Sequence, residues 1–255
     1  MPSSRLDNEE NHGSDRCVGA LASRALAVLA ERKTAERVLC PETLAALSRA
    51  VCEADPDARD RIVSEMLTAG IGHEDLCDLY IPETARRLGE DWLDDRASFA
   101  NVTIGTARLQ SLVRELSRGT ERDPPLDARR LMVLVVGDEH HTLGATILTA
   151  QLRRIGASVR LALGASTEET VRTARAASLD AVLVSVARHD DLDKVAVTIA
   201  ALRQALPRCV PVIVGGGIVS LGVEPVQRLT GADHVTSDPH DAVTFGARRA
   251  ENAAT

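Results

Sequence analysis

Five short apolar runs of strand type alternate with amphipathic helical segments over the second half of the chain. Such alternation is typical of a doubly wound sheet, because parallel strands need a crossover helix between them. We therefore predict an α/β fold in which a flavodoxin-like (Rossmann-type) five-stranded parallel sheet follows a helical region. The predicted strands are residues 131–136, 158–162, 181–186, 210–214 and 233–236, and the predicted helices lie near 143–155, 167–178, 190–205 and 217–229, with a last one after Pro239.

The first half of the chain has a helical pattern. From Cys17 onwards, apolar residues recur at spacings of three and four, which is typical of amphipathic helices. Further helices are expected to begin at Pro41, after Asp55, near His73 and near Ser98. Because the connections between them are short, the pattern predicts an antiparallel helical bundle.

Two segments interrupt these periodic patterns. Residues 119–129 contain adjacent prolines and mixed charge, which indicates a linker. Residues 1–15 are polar, and we expect them to be a disordered lead. The predicted domains are therefore a helical bundle of residues 16–118 and an α/β domain of residues 130–255.

Composition restricts the classes of partner and compartment. The 255-residue chain has a net charge of -7, which argues against direct sequence-specific DNA binding, since DNA-binding proteins need a basic surface. No stretch approaches the roughly 20 apolar residues of a membrane span. The five cysteines include no Cys-x-x-Cys pair, so we expect them to be reduced thiols. We expect a cytoplasmic protein without a membrane segment.

One motif directly follows the first predicted strand. Glu139 stands two residues before His141, and Gly144 follows three residues later. A carboxylate that hydrogen-bonds one ring nitrogen of a histidine orients that histidine for metal ligation. His141 is thus a candidate metal ligand and Glu139 its candidate partner, although an isolated Glu-x-His can also be a pair of loop residues bonded to nearby backbone.

Two further elements are predicted at the same edge of the sheet. Ser185 lies at the end of the third strand, and Gly215, Gly216 and Gly217 follow the fourth. Open α/β sheets bind ligands at the carboxyl ends of their strands. The glycines lack the Gly-x-Gly-x-x-Gly spacing of a dinucleotide-binding loop. No Ser-His-Asp triad or carboxylate pair stands out, so we expect a non-enzymatic binding protein without catalytic residues.

These elements resemble the cobalamin-binding domain family, whose pattern is Asp-x-His-x-x-Gly, then Ser-x-Leu, then Gly-Gly. The resemblance covers roughly residues 130–250 and implies cobalamin (B12) as the cofactor, with His141 as the lower axial ligand of cobalt. It further implies that Glu139 hydrogen-bonds His141, that Ser185 contacts the buried nucleotide tail, and that Gly215 and Gly216 leave space for its base. Thr142 and Gly144 are predicted cofactor-binding residues as well.

The sequence departs from the family pattern at two positions. Glu139 stands where the family has aspartate, and Ala187 where it has leucine. His140 offers a second register with Asp138, but that register places Leu143 where the pattern requires glycine. We therefore favour His141 as the ligand.

The helical half resembles the bundle that caps the upper face of the corrin in this family. A tryptophan of this segment meets the upper ligand in light-sensing cobalamin repressors, which assigns Trp92 to cofactor binding, with a place in the bundle core as the alternative. In those repressors a Glu-His pair follows about ten residues later. Here Val102 and Thr103 occupy the corresponding stretch, so this position supplies no upper histidine.

Nearly the whole chain resembles the antirepressors of photosynthesis genes in purple bacteria, the AerR and PpaA group. This resemblance implies a light- or redox-linked regulator whose partner is a transcriptional repressor of pigment genes. Related domains bind haem, which leaves haem as an alternative cofactor because one histidine can ligate either metal. A corrinoid shuttle protein of a methyltransferase system and a response-type α/β domain without cofactor are the other readings.

Overall fold

A computed structural model describes residues 39–55, 57–118, 124–136, 142–187 and 189–253, and the described residues from Glu42 onwards form one compact unit. The predicted disordered lead and the first predicted helix, from Cys17, lie outside the described residues. So does the first part of the predicted linker, residues 119–123.

Within the described residues four helices precede the sheet, and they correspond to the helices predicted from Pro41, after Asp55, near His73 and near Ser98. They are α1 (Pro41–Cys52), α2 (Ala58–Thr68), α3 (Ile81–Leu93) and α4 (Phe99–Arg118). The helix predicted to begin near His73 is divided into three parts, since a short turn (His73–Asp75) and a π-helical segment (Leu76–Tyr80) come before α3. No helix in the described part of the chain is both long enough and apolar enough to cross a membrane.

Apolar side chains and a few polar contacts hold these helices together. Leu47, Ile81 and Leu109, from three different helices, are fully buried. The Arg108 guanidinium donates hydrogen bonds to the carbonyls of Val51 and Glu53, at 3.0 and 2.5 Å, at the end of α1. Terminal carbonyls of a helix have no partner within the helix, and Arg108 supplies a donor to these two.

The second half forms a five-stranded, all-parallel sheet with the strand order β2-β1-β3-β4-β5, which confirms the predicted fold class. The strands are β1 (Arg130–Val135), β2 (Ser158–Leu163), β3 (Ala181–Ser185), β4 (Val212–Gly215) and β5 (His234–Val235). The helices are α5 (Thr142–Arg154), α6 (Thr167–Ala176), α7 (Leu192–Ala205), α8 (Val223–Thr230) and α9 (Pro239–Ala253).

Both faces of the sheet are covered, as a parallel sheet requires. Alternate residues of β1 point to opposite faces. Met132 and Leu134 pack with residues of α6, α7 and α8 on one face. Leu131, Val133 and Val135 pack with residues of α5 and α9 on the other. The two resulting cores fix the sheet register, and with it the positions of the residues at the carboxyl ends of the strands.

Helix α5 contacts the bundle at both of its ends. At its first residue, the Thr142 hydroxyl accepts a hydrogen bond from the Gln110 side-chain amide of α4. At its last, Arg154 Nη2 lies 2.6 Å from both carboxylate oxygens of Asp78, which belongs to the π-helical segment. Both charged side chains are mostly buried. Water and salt therefore screen this ion pair less than they screen pairs on the surface.

Candidate functional site

The carboxyl ends of β1 and β3 are neighbours at the centre of the sheet. In the strand order observed here, the connections after these two strands run to opposite faces, and such switch points are where open α/β sheets bind ligands. Ser185, the last residue of β3, pairs with Val135 of β1 on one side and with Gly215 of β4 on the other. The structure thus brings Ser185 and Gly215 together at this edge.

A cavity of about 150 Å³ opens beside these residues. Four residues predicted from the sequence line it, namely Gly144, Ser185, Gly215 and Gly216. The remaining lining residues come from α5, β3, β4 and the segment that leads into α9, and they are Leu148, Gln151, Leu183, Val184, Ile213, Thr236, Ser237, Asp238, Pro239 and Ala242. We call this space the edge cavity.

The edge cavity combines apolar walls with polar groups that are available to a ligand. Leu148, Leu183 and Ile213 supply apolar surface. Within the described part of the chain, the Ser185 hydroxyl and the Gln151 carboxamide have no hydrogen-bond partner. An apolar pocket with a few convergent polar groups suits a flat organic group that carries some hydrogen-bonding atoms.

Backbone packing requires the two glycines that follow β4. A Cβ at Gly215 would lie 2.4 Å from the Thr236 carbonyl oxygen, and a Cβ at Gly216 would lie 2.7 Å from the Val186 carbonyl oxygen. Gly216 also has a φ of +96°, which side-chain-bearing residues rarely adopt. The sequence suggested that these glycines leave space for a ligand, but here a Cβ would first meet the protein's own backbone.

Gly144 differs from this pair. A Cβ built on it meets no atom of the described residues within 4 Å, although Gly144 lines the edge cavity from the first turn of α5. A methyl group there would leave the fold untouched and would project into space that a ligand could use.

These two kinds of glycine give a matched pair of substitutions. Gly215→Ala is expected to lower the free energy of unfolding by about 2 kcal/mol, because rigid backbone must move. Gly144→Ala should keep or slightly raise it, since alanine is the better helix former, yet it should weaken a ligand of the edge cavity by about 1–3 kcal/mol through overpacking. Urea denaturation and ligand titration of both variants check this. Equal ligand affinity for Gly144→Ala and wild type would contradict it.

Two other predicted residues lie outside the lining of the edge cavity. Thr142 is buried, and its hydroxyl is engaged by Gln110. Trp92 is 48% exposed, and its ring makes an edge-on contact with Phe99 at a centroid distance of 6.5 Å. Trp92 is therefore not a core residue of the bundle, and with Leu93 and Phe99 it forms an exposed apolar patch.

Glu139 and His141 lie outside the described residues, as do Asp138 and His140. The nearest described residues are Val136, which follows β1, and Thr142, which begins α5. Within the described ranges, no group of three or more His, Cys, Asp and Glu side chains could hold a metal ion. The ligand role of His141 stays a prediction from the motif.

His234, for which the sequence predicted no function, stabilises the part of α9 that lines the edge cavity. His234 Nε2 lies 2.7 Å from a carboxylate oxygen of Asp241, in the first turn of α9, and the His234 ring stacks on Phe245 at 4.5 Å. Hydrogen bonds from His234 and Thr236 hold the pKa of Asp241 below its usual value. The pair fixes the start of α9, whose Pro239 and Ala242 line the cavity.

Sequence reasoning missed Gln151 and the segment from Thr236 to Pro239. For Gln151 a signal existed, because Gly144, Leu148 and Gln151 are spaced by four and three residues and so share one face of α5. For the segment before α9 there was none, since its polar residues look like an ordinary turn into a helix.

Comparison with known proteins gives three results. The B12 binding domain family matches residues 129–243, which include every residue at the edge cavity. The "uncharacterized 20.5 kDa protein in bchF-crtJ intergenic region" of Rhodobacter capsulatus is 35% identical over 181 residues, which are 70% of this chain and 94% of that protein. The monomethylamine corrinoid protein of Methanosarcina barkeri has a similar fold, with a TM-score of 0.62 at 18% identity over 83% of this chain and 97% of its own.

Proposed function

Because the chain belongs to the B12-binding domain family, we propose that it holds a cobalamin at the edge cavity and acts as a non-enzymatic antirepressor of photosynthesis genes. The observation that carries the proposal is the edge cavity itself. It lies at the switch point of the sheet, and the residues of the family pattern that the structure describes, Gly144, Ser185, Gly215 and Gly216, all line it.

The residues present fit such a cofactor. Apolar side chains would receive the flat base of the nucleotide tail, and the available Ser185 and Gln151 groups would hydrogen-bond its polar atoms. His141 lies five residues after Val136, the last described residue that follows β1. It would ligate cobalt, and Glu139 would orient its ring. When bound, cobalamin would supply a cobalt ion that responds to light or to redox conditions.

The regulatory part of the proposal rests on the relative from Rhodobacter capsulatus. That protein is encoded in a photosynthesis gene cluster, and the similarity spans the bundle as well as the sheet. The likeness to the monomethylamine corrinoid protein concerns the fold alone. The alternative function is that of a corrinoid shuttle protein in a methyltransferase system, and experiment must distinguish the two.

Helix α5 connects the proposed cofactor site to the bundle, and so it can transmit the effect of cofactor binding to a partner. Gly144 and Gln151 of α5 line the edge cavity, and Thr142 and Arg154 of the same helix contact the bundle. An occupant of the cavity therefore touches the helix that ties the bundle to the sheet. A ligand that favours one arrangement of these elements changes the surface offered to a repressor, and the two binding free energies become coupled.

An absorbance spectrum of the purified protein, reconstituted with hydroxocobalamin or with haemin and then desalted, tests the cofactor. We expect a retained corrin spectrum and no haem Soret band, since the family that the chain matches binds B12. Retention of haem but not of the corrinoid, or of neither, would overturn the assignment.

A pull-down tests the regulatory role. The full chain, with and without cobalamin, is presented to a purified pigment-gene repressor, and we expect binding that differs between the two forms. Binding that is indifferent to cobalamin, tight sequence-specific DNA binding by the chain alone, or methyl transfer to and from a methyltransferase would contradict the antirepressor proposal while leaving cobalamin binding intact.

The role assigned to Glu139 gives a graded prediction. Glu139→Gln keeps the size of the side chain and removes its charge, so it should weaken cobalamin retention by about 10–100-fold, as typical for a group that orients a metal ligand. Equilibrium dialysis of the apo protein measures the change. Unaltered retention would show that the Glu139 carboxylate makes no contact with His141.

A further inference from the structure

A second cavity lies at the opposite, amino-terminal edge of the sheet. Its volume is about 380 Å³, within the range of small-molecule sites. Leu202, Leu206, Val210 and Val212 contribute apolar surface, together with Pro207. The polar lining residues are three arginines, Arg203, Arg208 and Arg249, and no acidic residue is among the lining residues that the structure describes. We call this space the arginine cavity.

One carboxylate behind the lining holds two of the three guanidinium groups. Arg203 Nη2 lies 2.7 Å from Asp233 Oδ2, and Arg249 Nη1 contacts Asp233 Oδ1. Asp233 is anchored in turn, because its Oδ2 accepts a hydrogen bond of 2.8 Å from the Val212 amide and only 8% of its side chain is exposed. Arg203 also donates to the Gly231 carbonyl at 3.2 Å. The two guanidinium groups are therefore positioned before any ligand arrives.

Among the residues whose side chains the structure describes, the charges of this cluster do not balance. Asp233 compensates one of the two arginines that it binds, which leaves one positive charge. Arg208, in the loop between α7 and β4, adds a second, since within the described ranges it has neither an ion pair nor a hydrogen bond. The side chains of Arg203 and Arg249 stay 37% and 41% exposed, so their outer N–H groups can still bind a ligand.

We propose that the arginine cavity binds a small organic oxyanion, a carboxylate or phosphate group joined to an apolar body. Guanidinium groups match the planar oxygens of such anions, and charge-assisted hydrogen bonds are among the strongest in proteins. The leucine and valine side chains would pack against the apolar part. An excess of positive charge at a concave site on a chain of net charge -7 concentrates anions there.

This site is independent of the proposed cobalamin site. The edge cavity lies at the carboxyl ends of the strands and the arginine cavity at their amino ends, and their lining residues do not overlap. Failure of either proposal leaves the other untouched.

Isothermal titration of the full chain with three probes of similar size tests the proposal. Phenyl phosphate and benzoate carry the two oxyanions, and benzyl alcohol is the uncharged control. We expect at least one of the two anions to bind about tenfold or more tightly than the alcohol, and the tighter anion identifies the preferred group. Equal binding of all three probes, or no binding by any of them, would overturn the proposal.

Arg208→Gln locates the site without disturbing the Asp233 cluster. It should weaken the bound anion about tenfold or more, the usual effect of losing one charged hydrogen bond. Arg175→Gln, on the exposed surface of α6, is the matched control and should bind like wild type. Thermal melting of both variants verifies the fold. An Arg208→Gln variant that melts like wild type and binds the anion equally well would refute the assignment.

Discussion

His141→Ala is expected to lose most of the cobalamin binding, and the loss should exceed the 10–100-fold typical of removing an outer partner of a metal ligand. The reason is chemical, because alanine offers cobalt no donor atom. Contacts of the nucleotide tail in the edge cavity would remain and could retain a weakly held corrinoid. Titration of the apo protein with hydroxocobalamin, followed by its absorbance spectrum and by equilibrium dialysis, measures both effects.

His140→Ala is the matched control for this substitution. It removes the neighbouring imidazole, which the favoured register does not use, so cobalamin binding should be largely retained. Equal affinity of His141→Ala and the wild-type chain would refute the ligand assignment. If only His140→Ala lost cobalamin binding, the cobalt ligand would be His140, with Asp138 as its carboxylate partner.

Asp233→Ala is expected to lower the free energy of unfolding by about 3 kcal/mol. It leaves the Val212 amide without its acceptor and two arginines without their shared partner. The contacts also join the end of α7 and the last turns of α9 to the start of β4. Urea denaturation checks this, with Asp94→Ala as control, since Asp94 forms a surface pair with Arg96 that should contribute less than about 1 kcal/mol.

The contribution of Asp233 should also depend on pH. Burial alone would raise the pKa of Asp233, but hydrogen bonds from Arg203, Val212 and Arg249 outweigh it and hold the pKa below its usual value. A pKa lowered by folding stabilises the protein above the unfolded value of about 3.9 and loses this effect as the pH falls through the folded value. The stability difference between wild type and Asp233→Ala should thus narrow below about pH 4. A difference that stays constant down to pH 2.5 would contradict this.

The order of the helices and strands could be predicted because the spacing of apolar residues along the chain depends on which side chains are buried. Alternating apolar runs predicted all five strands, and the parallel sheet follows from the helices between them. Local exceptions escaped the pattern. The helix predicted over residues 217–229 is divided into a 3-10 turn (Gly217–Leu221) and α8, because Pro225 fits the first turn of a helix but would break the interior of a longer one.

The candidate site could be predicted only where its residues form a motif. Gly144, Ser185, Gly215 and Gly216 are each at a strand end or a helix start, and their common edge follows from the topology. The Asp233 cluster could not be found in this way. Its members are far apart in the sequence, and each of them alone resembles a surface charge.

The two contacts between α5 and the bundle restrict how the halves of the molecule can move. Thr142 and Arg154 are about 18 Å apart along the helix, so a rocking motion that separates the bundle from either end of α5 must break one of the two contacts. A signal that passes from the sheet to the bundle by separating them at either end of α5 would therefore have to break a side-chain hydrogen bond or an ion pair.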